Sequence, residues 1–367
     1  MVSALGTSLT QTWQHLIAGK SGIKLHQPFV ELEPLPLALI GNQPAQLTML
    51  IQSAVTSALA DAGLVAPLPE CAVVIGSSRS YQALWEKLAR QINLTSEIGD
   101  GWLETLPHMG AIAVARQIGA VNVPVLAPMA SCATGIWAIA QGFELIQTGQ
   151  CQQAIVGAVE APITPLTITG FNQMKALART GAYPFDRCRE GLVLGEGAAV
   201  LVLESAESAR RAGSIYGQVL GFGLTADGYH VSRPEPNGRS AIAAIEQCLD
   251  RSHLSFTDIN YIHAHGTATQ INDRNEAQLI QHLFPRGVPV SSTKGATGHT
   301  LGASGALGVA FCLMALKHQL LPPCVGLKES EFELDLVTTP RYGEIEQVLC
   351  FSFGFGGQNA VIALGKG

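Results

Sequence analysis

The chain has 367 residues, a formal net charge of −6, 47% hydrophobic residues and only 14% charged ones. A chain of this size buries most of its surface, as two domains or one large α/β unit. The acidic balance argues against a general nucleic-acid binder, although a local basic patch remains compatible with an acidic protein partner. Eight cysteines without a CxxC pair, and no visible signal peptide, point to reduced thiols in a cytoplasm.

In chain order, short β-rich runs alternate with longer helical ones, the pattern of an α/β layered fold. Ala45–Gly63 reads as a helix closed by a glycine, and Cys71–Ser78 as a strand. The next segment, "APMASCATGIWAIAQGFELIQTGQ" from Ala127, is a turn of small residues leading into an uncharged helix ended by Gly149. Cys132 stands at that junction, with no charged residue from Gln117 through Phe143. The segment alone leaves two readings open. Burial in apolar surroundings would raise the thiol pKa and leave it inert, whereas the first turn of a helix, with Ser131 as cap, favours a thiolate nucleophile.

Strands follow at Gln152–Glu160, Gly197–Ser205 and Ile259–Thr267, with a helix at Ser240–His253. The charged stretch Glu204–Ser214 is the expected join between halves. Residues Ile259–Thr267 carry His263 and His265, two apart and so on one side of a strand, and Thr267 is a candidate to orient the ring. "SSTKGATGHTLGASG" then places Lys294 and His299 on a glycine-rich turn opening a second small-residue helix. Together with the Cys132 segment it forms a weak internal repeat: strand, small-residue turn, long uncharged helix. A histidine at a helix start tends to stay neutral, and two neutral imidazoles, His265 and His299, suit an enolate oxygen. A metal site at His263, His265 and His299 is the competing reading, but no zinc spacing completes it. The apolar run Gly298–Leu316 reads as a buried helix and not as a membrane span. In "CFSFGFGGQNAVIAL", Gly354, Gly356 and Gly357 flank Phe355 and let backbone amides approach a ligand. A β-like run follows, so it is not a dinucleotide fingerprint.

"SCATG", "PFDRCREGLVLGEGAAVLVLE", "HGTAT", "TKGATGHTLGASG" and "SFGFGGQN", in this order, resemble a β-ketoacyl-[acyl-carrier-protein] synthase of the type I/II branch, over nearly the whole chain. The resemblance implies the thiolase fold: two related α/β halves, residues 1–212 and 213–367, in a five-layer αβαβα sandwich, usually a homodimer. It implies an acyltransferase, cytoplasmic and off the membrane, that joins a Cys-bound acyl group to malonyl-acyl-carrier protein with loss of carbon dioxide. No metal and no organic cofactor is expected. Cys132 would be the nucleophile, its amide and that of Phe355 the oxyanion donors, with Phe355 also a gate. His265 and His299 would stabilise the enolate. Lys294 would orient the turn and pair with Glu276, and Thr267, Thr269, Gly354 and Gly356 would support the site. Ile136, Trp137 and Phe171 are expected to wall the acyl pocket.

Rival readings are a non-condensing, chain-length-determining partner subunit, a degradative thiolase, and the metal-binding protein above. Two departures from the family stand out. The chain starts inside a segment that a short strand normally precedes: if Met1 is the true start a core strand is missing, and a start assigned too late accounts for it equally well. It also has no Lys or Arg between Lys24 and Arg79, where housekeeping members carry a basic cluster for their acidic carrier. Counter-charge is expected from Arg179, Arg187 or Arg189, as in a specialised paralogue. Acyl chain length, the pathway and the identity of the carrier are not encoded in any recognisable motif.

Overall fold

A computed structural model describes residues 1–98, 101–209 and 215–367. Its strands assemble into two large mixed sheets of matching design. The first runs Val2–Ser3, Gly197–Glu204, Gln153–Glu160, Ala72–Gly76, Val125–Leu126. The second runs Gln218–Ala226, Gln358–Gly365, Gln347–Gly354, Tyr261–His263, Pro289–Ser291, with Asp335–Leu336 added at the far edge. The pairings agree position by position: antiparallel across the first two steps, parallel across the next two. The internal repeat read from sequence is thus a repeat of topology. One difference is length at the first position, two residues for Val2–Ser3 against nine for Gln218–Ala226.

Between the sheets lie two helices, Thr134–Gln147 and Ser304–His318. The first packs on strands Ala72–Gly76 and Gln153–Glu160, the second on Gln347–Gly354 and Gly197–Glu204. Leu47–Asp61 and Met109–Ile118 cover the outer face of the first sheet, and Arg239–Ser252 that of the second. Five layers result. Strand Ala72–Gly76 is buried at every position, as a parallel strand covered on both faces must be, which explains its unbroken apolar run. The segment Leu301–His318 has the length and hydropathy to cross a membrane, but 78% of it is buried inside the protein. Its apolar residues go all the way round because it is a core helix.

Both central helices begin alike. A single 3₁₀ turn, Ser131–Ala133 or Leu301–Ala303, precedes the α-helix, and its first residue has positive φ, 50° at Ser131 and 41° at Leu301. The Ser131 side chain therefore does not cap, contrary to expectation. Thr134 braces the turn instead: its Oγ1 accepts from the Ala130 N–H, upstream of the helix, at 2.9 Å and donates to the Ser131 carbonyl at 2.7 Å. The helices cross at reciprocal glycines. A Cβ on Gly135 would overlap the Ala306 nitrogen, and one on Gly305 would lie 3.0 Å from the Ile136 nitrogen.

The expected elements differ mainly at their ends. The strand expected over Ile259–Thr267 is only Tyr261–His263, because Gly266 and Ala268 turn the chain away with φ of 37° and 67°. The join at Glu204–Ser214 falls in part, at 210–214, outside the described residues, and with it the boundary at 212.

Candidate active site

Cys132 sits on the 3₁₀ turn at the mouth of its helix, 7% exposed. The second half of the chain grips it from strand Gln347–Gly354. Ser352 Oγ donates to the Cys132 carbonyl at 2.8 Å. Gly354 packs so closely that a Cβ there would lie 3.1 Å from the Cys132 nitrogen. This approach brings the Phe355 N–H onto the Cys132 sulfur. Burial pushes the thiol up to about 11; the Lys294 charge and the Phe355 amide oppose it without winning. The thiolate-favouring effect expected from the helix start is outweighed by desolvation.

His265 and His299 face one another edge to face, ring centroids 5.3 Å apart, both 2% exposed. Burial, then the nearby Lys294 charge, holds both well below the ordinary histidine range, so each is a neutral imidazole. His299 is fixed by its backbone, which donates to the Val193 carbonyl at 2.6 Å, and by Ser304 Oγ 2.8 Å from Nδ1. With the Ser304 hydroxyl donating to Nδ1, the ring proton rests on Nε2.

Lys294 Nζ donates to the His265 carbonyl and lies 3.4 Å from His265 Nδ1. The expected ion pair with Glu276 does not form. The Glu276 carboxylate instead accepts from the backbone N–H of His265 at 2.6 Å and of Gly266 at 2.7 Å, and from Asn272 at 3.2 Å. Glu276 thus holds the His265 loop by its backbone and acts on Lys294 only through its field.

Thr267 and Thr269 do not orient the His265 ring. Their hydroxyls bond each other at 2.9 Å, and Thr269 caps helix Gln270–Leu283. Phe171 joins the apolar cluster around Cys132 and stacks on Phe355 at 5.9 Å. Ile136 is fully buried in the core between the sheets and packs against Gly305. Trp137 is half-buried at the edge of the central-helix core, its Nε1 buried without a partner among the described residues. Gly356 has open space around its Cα and donates its N–H to the Val231 carbonyl at 2.8 Å. His263, placed by one reading in a metal site with the other two histidines, bonds Thr293 Oγ1 at 3.1 Å instead. Of the expected docking cations, Arg179 is exposed and Arg187 pairs with Glu329. Arg189 is fully buried on Glu331 and Phe332, beyond reach of any partner.

Sequence reasoning missed Glu160. Its buried carboxylate ties Ser77, Ser78 and Arg79 to the Gly302 N–H, binding a loop of the first half to the turn after His299. The signal was a lone acid ending the apolar strand "QQAIVGAVE". It missed Arg79 too, whose guanidinium stands 5.7 Å from the Phe171 ring centroid.

The site thus draws its thiol from one half and its imidazoles, lysine and one amide from the other. Residues 43–209 match the family model "Beta-ketoacyl synthase, N-terminal domain" and residues 216–328 match "Beta-ketoacyl synthase, C-terminal domain". A "3-oxoacyl-[acyl-carrier-protein] synthase 2" of Staphylococcus aureus is 36% identical over 273 residues, covering 71% of this chain but 66% of that enzyme, just under two thirds of its length. A "Putative 3-oxoacyl-[acyl-carrier-protein] synthase, mitochondrial" of Schizosaccharomyces pombe is 30% identical over all of this chain and 97% of its own. A β-ketoacyl synthase from Burkholderia phymatum superposes with a TM-score of 0.91 at 27% identity, over 100% of this chain and 97% of that one. A ketosynthase solved in complex with its type II polyketide acyl-carrier protein gives 0.93 at 25%, with the same coverage. The two domain models in tandem and the full-length relative make this chain a member of the β-ketoacyl synthase family.

Proposed function

We propose that the protein is an acyltransferase that condenses a Cys132-bound acyl group with malonyl-acyl-carrier protein, giving a 3-oxoacyl-acyl-carrier protein in fatty-acid or polyketide synthesis. The observation that carries this reading is the meeting of the Cys132 thiol, the Phe355 amide, His265, His299 and Lys294 within one buried site. Cys132 attacks the acyl thioester of a loaded carrier. The tetrahedral oxyanion is held by the Cys132 and Phe355 N–H groups, and its collapse expels the carrier thiol. Malonyl-carrier protein then loses carbon dioxide. The electron pair of the broken carbon–carbon bond becomes an enolate, whose oxygen takes hydrogen bonds from His265 and His299. The enolate carbon attacks the acyl-Cys132 carbonyl, and the Cys132 thiolate leaves. Burial of both histidines serves this step, since neutral donors in a dry site gain strength from the absence of competing water.

Phe355, stacked on Phe171, acts as the gate between the two half-reactions, and Arg79 over Phe171 steadies the closed form. Phe171 and Trp137 limit the acyl chain. The halves are residues 1–212, carrying the nucleophile, and 213–367, carrying both histidines. A homodimer fits the exposed apolar side chains of Leu84, Trp85, Leu94, Trp102 and Leu103, and sedimentation should give twice 38.6 kDa. Eight free thiols, seven of them buried, support a cytoplasmic setting.

Intact-protein mass spectrometry after incubation with a medium-chain acyl-carrier protein tests the reading. One acyl adduct, absent from Cys132→Ala and released as a product two carbons longer when malonyl-carrier protein is added, is expected. A folded protein that takes no acyl group from any carrier would favour a non-condensing, chain-length-determining subunit.

A further inference from the structure

Strands Tyr261–His263 and Pro289–Ser291 run parallel, with Ser291 opposite His263. Beyond their main-chain bonds, side chains at every second residue of the first segment reach across to the second. Tyr261 Oη meets Ser291 Oγ at 2.7 Å, His263 Nε2 meets Thr293 Oγ1 at 3.1 Å, and His265 Nδ1 lies 3.4 Å from Lys294 Nζ. The last of these three rungs lies in the proposed active site. The middle one has no part in the chemistry above, yet the chain makes room for it at a cost.

Gly308 stands in the interior of the helix Ser304–His318, where glycine costs about 1 kcal/mol relative to alanine. A Cβ there would lie 2.9 Å from His263 Nδ1 and 2.8 Å from Cys350 Sγ. The imidazole occupies that space, stacked on Phe311 at 6.3 Å, with Cys350 Sγ 3.8 Å from Nδ1. Cys350 lies opposite His263 in the parallel register of the neighbouring strand. Cys350 Sγ also lies 4.0 Å from the Gly305 carbonyl, and with its S–H turned to Nδ1 the neutral imidazole accepts there. That arrangement leaves a proton on Nε2, which donates to Thr293 Oγ1.

Thr293 in turn anchors the turn that carries Lys294. Its carbonyl accepts from the Ala296 and Thr297 amides, both at 3.0 Å, and from Thr297 Oγ1 at 3.2 Å. We infer that His263, steadied by Cys350, is a positioning residue: through Thr293 it sets the turn that holds Lys294 against His265, and so serves the malonyl half-reaction more than the acylation of Cys132. This rests on the malonyl step proposed above, in which His265 donates to the enolate, and gives Lys294 the role of holding His265.

The test separates the half-reactions, following acyl transfer to Cys132 by intact mass and carbon dioxide release from malonyl-carrier protein. His263→Phe keeps the ring and the stack and removes the donor. It should lower decarboxylation at least tenfold and leave acylation within about twofold of wild type. His263→Gln, which restores an N–H donor at the Nε2 position, should recover most of that loss. Thr293→Val should match His263→Phe, and the double variant should be no worse than either single one. The inference is overturned if both half-reactions fall together, if Phe and Gln behave alike, or if the two losses add. Lys294→Met distinguishes the premise: should it leave decarboxylation intact, the role given to Lys294 fails first, whatever His263 does.

Discussion

Burial holds the Cys132 thiol at about 11, and Lys294 contributes the largest opposing effect. A positive charge favours the thiolate, so removing it must raise the pKa further. Alkylation of Cys132 by iodoacetamide, read at the peptide level because Cys188 is exposed and will react too, should therefore climb about tenfold per pH unit from 7 towards 10. In Lys294→Met the rate at any one pH in that range should be several-fold lower. A plateau near pH 7 in the wild type would mean that the thiolate is already formed at rest, and would refute the burial argument. This residue shows where sequence reading stops. Helix start, glycine turn and small neighbours were all legible around Cys132, but the effects that favour its thiolate come from Lys294 and the Phe355 amide of the other half. Their opponent, desolvation by the second half of the chain, comes from residues some 220 positions away such as Ser352 and Gly354, and only the fold assembles it. Lys294 and Glu276 teach the same lesson. Opposite charges in matching motifs suggest a pair, but which donor satisfies a buried carboxylate depends on which backbone amides arrive first, here those of His265 and Gly266.

The two central helices carry the turns of Cys132 and His299 at or just before their starts, so their separation fixes the candidate site. Gly135 and Gly305 allow backbone-to-backbone contact at the crossing. Gly135→Ala must force the helices apart or bend them, with a cost of about 3 kcal/mol of overpacking and displacement of Cys132 from the Phe355 amide. Gly170→Ala is the matching control. It lies inside helix Pro165–Gln173 with open space where its Cβ would go, and should be neutral or stabilising by up to about 1 kcal/mol. Thermal melts of the two variants should move in opposite directions, with acylation reduced only in Gly135→Ala. If both melt alike, the crossing is less tight than described. Local pattern made both helices legible, since an uncharged run bounded by turn residues has few other readings. The 3₁₀ turns and their positive-φ first residues were not legible, because Ser131 and Leu301 carry side chains that ordinarily avoid that conformation. Thr134 braces the first, and the Glu160 carboxylate holds the second by the Gly302 N–H.

The whole molecule ties its parts together through buried carboxylates, and this gives its stability a pH dependence of definite sign. Glu196, just before strand Gly197–Glu204, is fully buried and accepts the Ala45 N–H at 2.5 Å and the Ile40 N–H at 3.2 Å, pinning the segment before helix Leu47–Asp61. Desolvation raises its pKa to about 7 from 4.5, against those two hydrogen bonds. For an acid raised on folding, the folded state prefers the protonated form. Its contribution is therefore complete below about pH 4.5 and is lost as the pH climbs through about 7. A shift of this size corresponds to roughly 3 kcal/mol, or about 4 °C in melting temperature for a chain of this length. Glu196→Gln cannot ionise. Its own melting temperature starts lower, because an amide offers one acceptor oxygen to two N–H donors. Its difference from wild type should nonetheless shrink by about 4 °C between pH 5 and pH 8, measured by calorimetry under one buffer strength. A difference that stays constant across that range would mean that Glu196 is ionised throughout, its two backbone donors outweighing its burial. The repeat of two sheets around a central helix pair was legible as a motif order. The buried acids that join loop to strand across it were visible only as scattered letters, since a carboxylate reveals its partners only once the chain has closed around it.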